Sequence, residues 1–221
     1  QLDETFLVIS GDVLTDIDLD ALIEAHRESQ AVATIGLVRV DNPLEYGIVI
    51  TDEVGNIERF LEKPTWGQVF SDTINSGIYV LEPRIFDWIA ADQPVDFSGE
   101  VFPAVLADGE RILGAVGEGY WEDVGTLDAY VRAHKDILDE RVKAEIPGIE
   151  VADGVWVGKS VEIHPDAVLT GPAVIGDNCN IDAGVHVGEY VVLGTGVRVR
   201  GEGELDRTVV HDNAYLGESV R

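Results

Sequence analysis

After Pro147-Gly148 the chain falls into a strict six-residue recurrence. Aliphatic residues return at Val157, Ile163, Leu169, Ile175, Ile181, Val187, Leu193 and Val199. Small or branched residues sit four further on, at Val161, Ala167, Ala173, Cys179, Val185, Val191 and Val197. Glycine follows the aliphatic residue at Gly158, Gly176, Gly188 and Gly194. A helix of period 3.6 cannot hold a six-step register. A triangular coil of short parallel strands can, because each six residues make one flat face and one corner, and stacked turns bury a core that no single repeat could bury. Cys179 falls on an inward position of this coil. His164 falls at a corner and His186 on an outward position. The register slips over 201–208 and resumes at Val210 and Leu216; the slip predicts a protruding loop. Because the repeat runs to the last residues, we expect the coil to be cut at Arg221.

The preceding part has a different grammar. Apolar runs at 5–10, 31–40, 73–81 and 111–116 read as strands, and 46–51 with 57–60 as a hairpin around the turn-rich 52–56. Helical spacing covers 18–29, 83–91, 99–107 and 127–142, with His26 expected as a partly exposed helix residue. Strands alternating with helices make an α/β layered sheet. The expected organisation is therefore a mixed-sheet domain over 1–140, a linker over 141–150 and the coil over 151–221.

Charge narrows the partners. The net charge is −27, with 42 acidic residues against 15 basic ones. No basic stripe exists, so nucleic acid is excluded as a partner. No apolar run reaches the length of a membrane span, and we expect a cytoplasmic protein. The single Cys179 rules out an intrachain disulfide and any multi-cysteine metal site. Acids scattered through globular sequence suit a salt-rich cytoplasm, where the Debye length shrinks to about 3 Å at 1 M; a halophilic source is expected. The chain has no methionine and opens on Gln1, which reads as a piece whose N-terminal part is missing.

The stretch Gly119-Tyr120-Trp121-Glu122-Asp123-Val124-Gly125-Thr126 combines aromatic bulk, an acid and a flexible turn before a helical pattern. Asp123 can be a capping acid there. It can equally share a divalent cation with Asp12, which ends the first strand in Ser10-Gly11-Asp12. Both can lie on the ligand edge of one sheet. Mg²⁺ is typically held by one or two carboxylates, with substrate phosphates completing its octahedron. Lys63 is one of four lysines. Between Glu62 and Pro64 it can act as a point charge for a phosphate or form a surface pair of little consequence. Spacing alone leaves both open.

These segments resemble the sugar-1-phosphate nucleotidyltransferases, also called sugar-nucleotide pyrophosphorylases. The pieces are Ile9-Ser10-Gly11-Asp12, Tyr46-Gly47, Phe60-Leu61-Glu62-Lys63-Pro64, Ile74-Asn75-Ser76-Gly77-Ile78-Tyr79, Val101-Phe102-Pro103 and 119–130, in the family's order. The Gly119–Thr126 stretch with Arg132-Ala133-His134 looks most like the mannose-1-phosphate guanylyltransferase branch, with glucose-1-phosphate enzymes close behind.

The resemblance implies a Rossmann-like mixed-sheet nucleotidyltransferase domain followed by a left-handed parallel β-helix of hexapeptide repeats. It implies Asp12 and Asp123 as Mg²⁺ ligands and Lys63 on the sugar phosphate. Tyr46, Gly47, Glu62, Asn75 and Gly77 would surround the sugar. The substrates would be a nucleoside triphosphate and a sugar 1-phosphate, the best match being GTP and mannose 1-phosphate. A homo-oligomer assembled through the coil is expected. The family's Gly-rich triphosphate loop has no counterpart in 1–221, so this piece alone is expected to be inactive. A non-catalytic regulatory relative, or an acyltransferase borne by the coil, are the competing readings.

Overall fold

The computed structural model describes residues 2–43, 46–61 and 71–217. By contacts the chain forms two compact units, Gln1–Asp123 and Val124–Arg221. In the first unit the strands are β1 (Phe6–Ile9), β2 (Val13–Thr15), β3 (Ala33–Arg39), β4 (Ile48–Thr51), β5 (Ile57–Leu61), β6 (Thr73–Leu81), β7 (Ile112–Val116) and β8 (Trp121–Asp123). Its helices are α1 (Leu19–Ser29) and α2 (Phe102–Ala107), preceded by a 3₁₀ turn at Pro83–Trp88 and a π turn at Phe97–Val101. The second unit holds α3 (Leu127–Leu138) and the coil.

The large sheet runs β5-β4-β6-β3-β7, with β1 also paired to β6. It is mixed: β3 and β7 are parallel, and β6 is antiparallel to β1, β3 and β4. Strand alternation then sorts the core. Ala33, Ile35 and Leu37 of β3 and Tyr79 and Leu81 of β6 pack with Phe102, Val105 and Ile85 on one face. Val38 of β3 and Ile74, Ile78 and Val80 of β6 pack with Leu22 and Ile17 on the other. Both faces are covered, which is why β3 reads as a continuous apolar run. The tip of the β4–β5 hairpin crosses to β7: the Gly114 N–H donates to the Gly55 carbonyl at 2.8 Å, and Asn56 bridges Leu113. That contact covers part of an edge strand that would otherwise invite pairing with another chain. Asp52 ties the tip, accepting from the Asn56 and Val54 amides, and the Asn56 side chain holds its carboxyl below the usual range.

α1 starts at Asp18, whose carboxylate accepts from the Ala21 N–H at 3.0 Å. It buries Leu22 and His26, one turn apart. His26 is 2% exposed, against the partly exposed position expected from the helical wheel. Its Nδ1 lies 2.9 Å from Thr34 Oγ1 and its Nε2 3.1 Å from Glu82. Two polar partners, one on β3 and one just past the end of β6, make burial of the imidazole tolerable, and single-helix spacing cannot show them.

In the second unit β9 (Ile149–Ala152) runs antiparallel to β10 (Val155–Val157). The coil continues through β11 (Glu162–Ile163), β12 (Val168–Leu169), β13 (Ala173–Ile175), β14 (Asn180–Ile181) and β15 (His186–Val187). It goes on through β16 (Val191–Leu193), β17 (Arg198–Val199), β18 (Glu204–Leu205), β19 (Val209–Val210) and β20 (Tyr215–Leu216). Parallel pairing stacks these into three sheets, β10-β13-β16-β19, β11-β14-β17-β20 and β12-β15-β18. The inward positions form one core from Val157 to Leu216, with Cys179 fully buried. Glycine is required where successive turns nearly touch: a Cβ at Gly158 would run into the Asp177 carboxylate of the next turn, which accepts from the Lys159 N–H at 2.7 Å. The expected loop over 201–208 is not there. Glu204 and Leu205 form β18 against His186 and Val187, and Leu205 joins the core. The slip is one missing residue between Leu205 and Val210. Ile175 pairs with Leu193, eighteen residues on, whereas Leu193 pairs with Val210, seventeen on.

Candidate active site

The site is built on an interruption of β6. Along β3–β6, Ile35 faces Tyr79 and Leu37 faces Asn75, so Ser76-Gly77-Ile78 bulges where β3 has only Gly36. Gly77 sits at φ +75, and a Cβ there would lie 3.0 Å from Ser10 Cβ and Oγ. Three groups clasp the bulge. Ser10 N–H donates to the Gly77 carbonyl at 2.9 Å, Trp121 Nε1 to the Ser76 carbonyl at 2.8 Å, and Ser76 Oγ to the Gly36 carbonyl at 2.7 Å. Bulges re-aim side chains and end regular pairing. Here the bulge presents Asn75, Ser76 and Gly77 beside the residues that follow β1.

Past Ile9 the chain turns through Ser10, Gly11 and Asp12 into β2, which pairs antiparallel with β8, Val13 opposite Asp123 and Thr15 opposite Trp121. Asp123 therefore lies on a separate two-stranded ribbon and Asp12 in the turn that leads from β1 into it, not both on the edge of the large sheet as expected. Asp16 holds the ribbon's far end, accepting from the Tyr120 N–H at 2.6 Å. The capping alternative for Asp123 also falls away, because Thr126 is the N-cap of α3 and its Oγ1 accepts from the Ala129 N–H at 3.1 Å.

Asp12, Asp123, Asn75, Gly77 and Tyr46 line one cleft of about 190 Å³, together with Ser10, Val13, Ser76 and Trp121. Asp12 is exposed, while Asp123, Asn75 and Tyr46 are half-buried. Tyr46 meets Trp121 edge-on, ring centres 5.6 Å apart. Gly47, next to it, is half-buried just before β4 and outside the lining. Glu62 and Lys63 lie outside the described residues. Sequence reasoning quoted Ser10, Trp121 and Tyr79 in its motifs without giving them a role and did not name Ser98; Ser10 and Trp121 hold the bulge, and Tyr79 and Ser98 hold Asn75. Trp121 stood in the quoted motif, but nothing in its spacing pointed to a carbonyl 45 residues away.

Asn75 is firmly held. Its Nδ2 donates to Tyr79 Oη at 2.9 Å and to Ser98 Oγ at 2.8 Å, and its Oδ1 accepts from the Gly77 N–H at 2.9 Å. Burial pushes the Tyr79 phenol up, partly offset by its bonds to Asn75 and Ser98.

The donor set fits a magnesium ion of the substrate-completed kind. Two carboxylates share the cleft, and no group of three or more His, Cys, Asp or Glu able to hold a metal occurs among the described residues. Such a pair leaves coordination positions for phosphate oxygens and water. A roomier hollow, about 370 Å³, lies between α1 and the sheet, lined by Ile17, Leu22, Leu37, Ile78 and Val116. It holds none of the residues that the resemblance assigns to the site, whereas five of them line the smaller cleft, and the smaller cleft is the candidate. In the coil, burial pushes the Cys179 thiol up, away from nucleophilic use. His186 Nε2 lies 3.1 Å from Thr170 Oγ1.

Comparison with known proteins gives the family. The nucleotidyl transferase family model matches residues 1–140, and the bacterial transferase hexapeptide model matches 154–188. A UTP–glucose-1-phosphate uridylyltransferase of Synechocystis sp. is 34% identical over 99% of this chain and 58% of its own length. A mannose-1-phosphate guanylyltransferase of Mycobacterium tuberculosis is 38% identical over 89% of this chain and 54% of its own. A probable mannose-1-phosphate guanylyltransferase of Oryza sativa subsp. japonica is 30% identical over 99% and 60%. The chain thus spans little more than half the length of these curated relatives. The mixed sheet, the parallel coil and both family matches converge: the chain belongs to the nucleotidyl transferase family, with hexapeptide repeats behind the transferase segment.

Proposed function

We propose that the protein carrying this chain is a sugar-1-phosphate nucleotidyltransferase, taking mannose 1-phosphate and GTP, with glucose 1-phosphate the next sugar. The observation that carries this reading is the shared lining of one cleft by Asp12, Asp123, Asn75, Gly77 and Tyr46. A phosphate oxygen of the sugar 1-phosphate attacks the α-phosphorus of the triphosphate. The bond from that phosphorus to the bridging oxygen breaks, and pyrophosphate leaves with the electron pair. The second pKa of a phosphate monoester is about 6, so the nucleophile is already an anion at neutral pH and needs no general base. The work left to the protein is in-line positioning and relief of repulsion between two anions. Asp12 and Asp123 would hold Mg²⁺, which neutralises phosphate charge when bound. Lys63 would hold the sugar phosphate. Glu62, Asn75, Gly77, Tyr46 and the Gly47 backbone would surround the sugar. The coil would serve assembly into a homo-oligomer, and the acidic surface would suit a salt-rich cytoplasm.

The test is pyrophosphate release by the full-length protein with GTP and mannose 1-phosphate, with and without Mg²⁺. Asp123→Ala is expected to lower the rate by at least about a hundredfold, the scale seen when one group stabilising transition-state charge is lost. A near-normal rate for that variant would remove the metal assignment. The 221-residue chain alone is expected to release no pyrophosphate.

A further inference from the structure

We propose that Ser98 and Tyr79 are positioning residues that lock the Asn75 carboxamide so that it meets a bound sugar as a hydrogen-bond acceptor and not as a donor. This rests on the sugar-1-phosphate reading above. The two ends of a carboxamide are told apart by their partners. A backbone N–H can only donate, so the Gly77 amide at 2.9 Å fixes which atom of Asn75 is the oxygen. Nδ2 then has two hydrogens and two partners, Tyr79 Oη and Ser98 Oγ. Its donors are spent inside the protein. Oδ1 has two lone pairs and gives one to Gly77; the other remains for the cleft that Asn75 lines.

The supports are themselves braced. Tyr79 is 8% exposed, with Phe102 edge-on at 5.1 Å and Phe97 tilted at 5.6 Å. Ser98 rides the π turn with Phe97, and Asp96 caps that turn by accepting from the Gly99 N–H at 2.5 Å. Such wide turns recur at functional sites because they redirect one or two side chains. A serine delivered beside an aromatic cluster, with its hydroxyl on Asn75, has that role here. The chemical consequence is specific. The sugar hydroxyl read by Asn75 must donate, so replacing it with fluorine, which cannot donate, will cost as much as deleting it.

Titration calorimetry of the full-length protein with Mg²⁺ and mannose 1-phosphate or glucose 1-phosphate, and with their monodeoxy and monodeoxyfluoro analogues, tests this. At one ring position both analogues will bind roughly five- to tenfold more weakly than the parent, the worth of one hydrogen bond. Asn75→Ala will abolish that difference. Ser98→Ala frees an Nδ2 hydrogen, so the gap between hydroxyl and fluorine will narrow at that position alone, and Ser98→Thr will restore it. A purely structural role for Ser98 would weaken all analogues alike. In the unliganded chain, NMR will find both Asn75 amide hydrogens slow to exchange, and one of them fast in Ser98→Ala. If Ser98→Ala does not fold, Tyr79→Phe supplies the same comparison, losing the hydroxyl and keeping the ring. Fluorine binding as well as hydroxyl at the Asn75-dependent position, or a ratio unmoved by either variant, overturns the proposal alone. No binding of any sugar 1-phosphate by the unmodified full-length protein overturns the functional reading and this proposal together.

Discussion

Gly77 shows how one residue sets the cleft. At φ +75 the backbone occupies a region that costs an L-residue of order 1–3 kcal/mol. The space is closed as well, since an added Cβ would meet Ser10 at 3.0 Å. Gly77→Ala is therefore expected to cost about 2 kcal/mol, read as a lower urea midpoint at unchanged slope. It should also loosen the Ser10 contact that sets the chain entering Asp12. A midpoint unchanged by this variant would mean that the bulge relaxes without strain. The two aspartates were legible as residue types at the ends of apolar or aromatic stretches. Their meeting place was not. β2 and β8 are three residues each, too short for alternation to register. His26 and Ser98 were hidden for a related reason: their partners, Thr34, Glu82 and Asn75, lie on other elements.

At the scale of elements, α3 and the coil illustrate what periodicity can and cannot report. The six-step recurrence gave the coil its core, its faces and the buried Cys179, because each repeat restates the same geometry. Leu205 of β18 keeps the step, six residues after Val199; the count fails only at Val210, five residues on, and that one break let the whole of 201–208 be read as a loop. The contact of α3 with the coil carries no repeat at all. Tyr190 Oη donates to Asp139 at 2.8 Å, Lys135 Nζ donates to the same carboxylate at 2.7 Å, and that ammonium lies 4.5 Å over the Tyr190 ring. Lys135, then Tyr190, hold Asp139 below the usual carboxylate range. A carboxylate with a depressed folded pKa contributes stability that is complete above its unfolded value, about 3.9, and is lost as pH falls through the folded one. Asp139→Asn should therefore destabilise the protein at pH 7 and converge with the unmodified chain in acid below that window. Thermal melts of both from pH 7 to pH 2 will check it, and a difference independent of pH would assign the effect to packing.

For the molecule as a whole, charge decides the response to salt, and two effects compete. Local ion pairs such as Arg39–Asp72, Arg84–Glu110 and Arg27–Glu24 weaken as ions screen them, and exposed pairs are worth only about 0–1 kcal/mol each. Long-range repulsion also weakens, and that stabilises. With 15 basic residues against 42 acidic ones, the acids far outnumber the cations that could pair with them, so relief of repulsion outweighs the loss of pairs. The burden is uneven. Residues 1–123 hold 25 of the acids and 6 of the basic residues, net −19, leaving −8 for the second unit. Raising KCl from about 0.1 to about 2 M shortens the Debye length from roughly 10 Å to under about 3 Å. Calorimetric scans over that range should show a rising midpoint. Where two transitions separate, the one assigned to the first unit by a tryptophan probe at Trp88 should move further. Chloride is the appropriate anion, because sulfate would strengthen apolar burial in any protein and hide the charge effect. A midpoint that falls with KCl would mean that ion pairs, few as they are, outweigh the repulsion, and would remove the argument for a salt-rich setting.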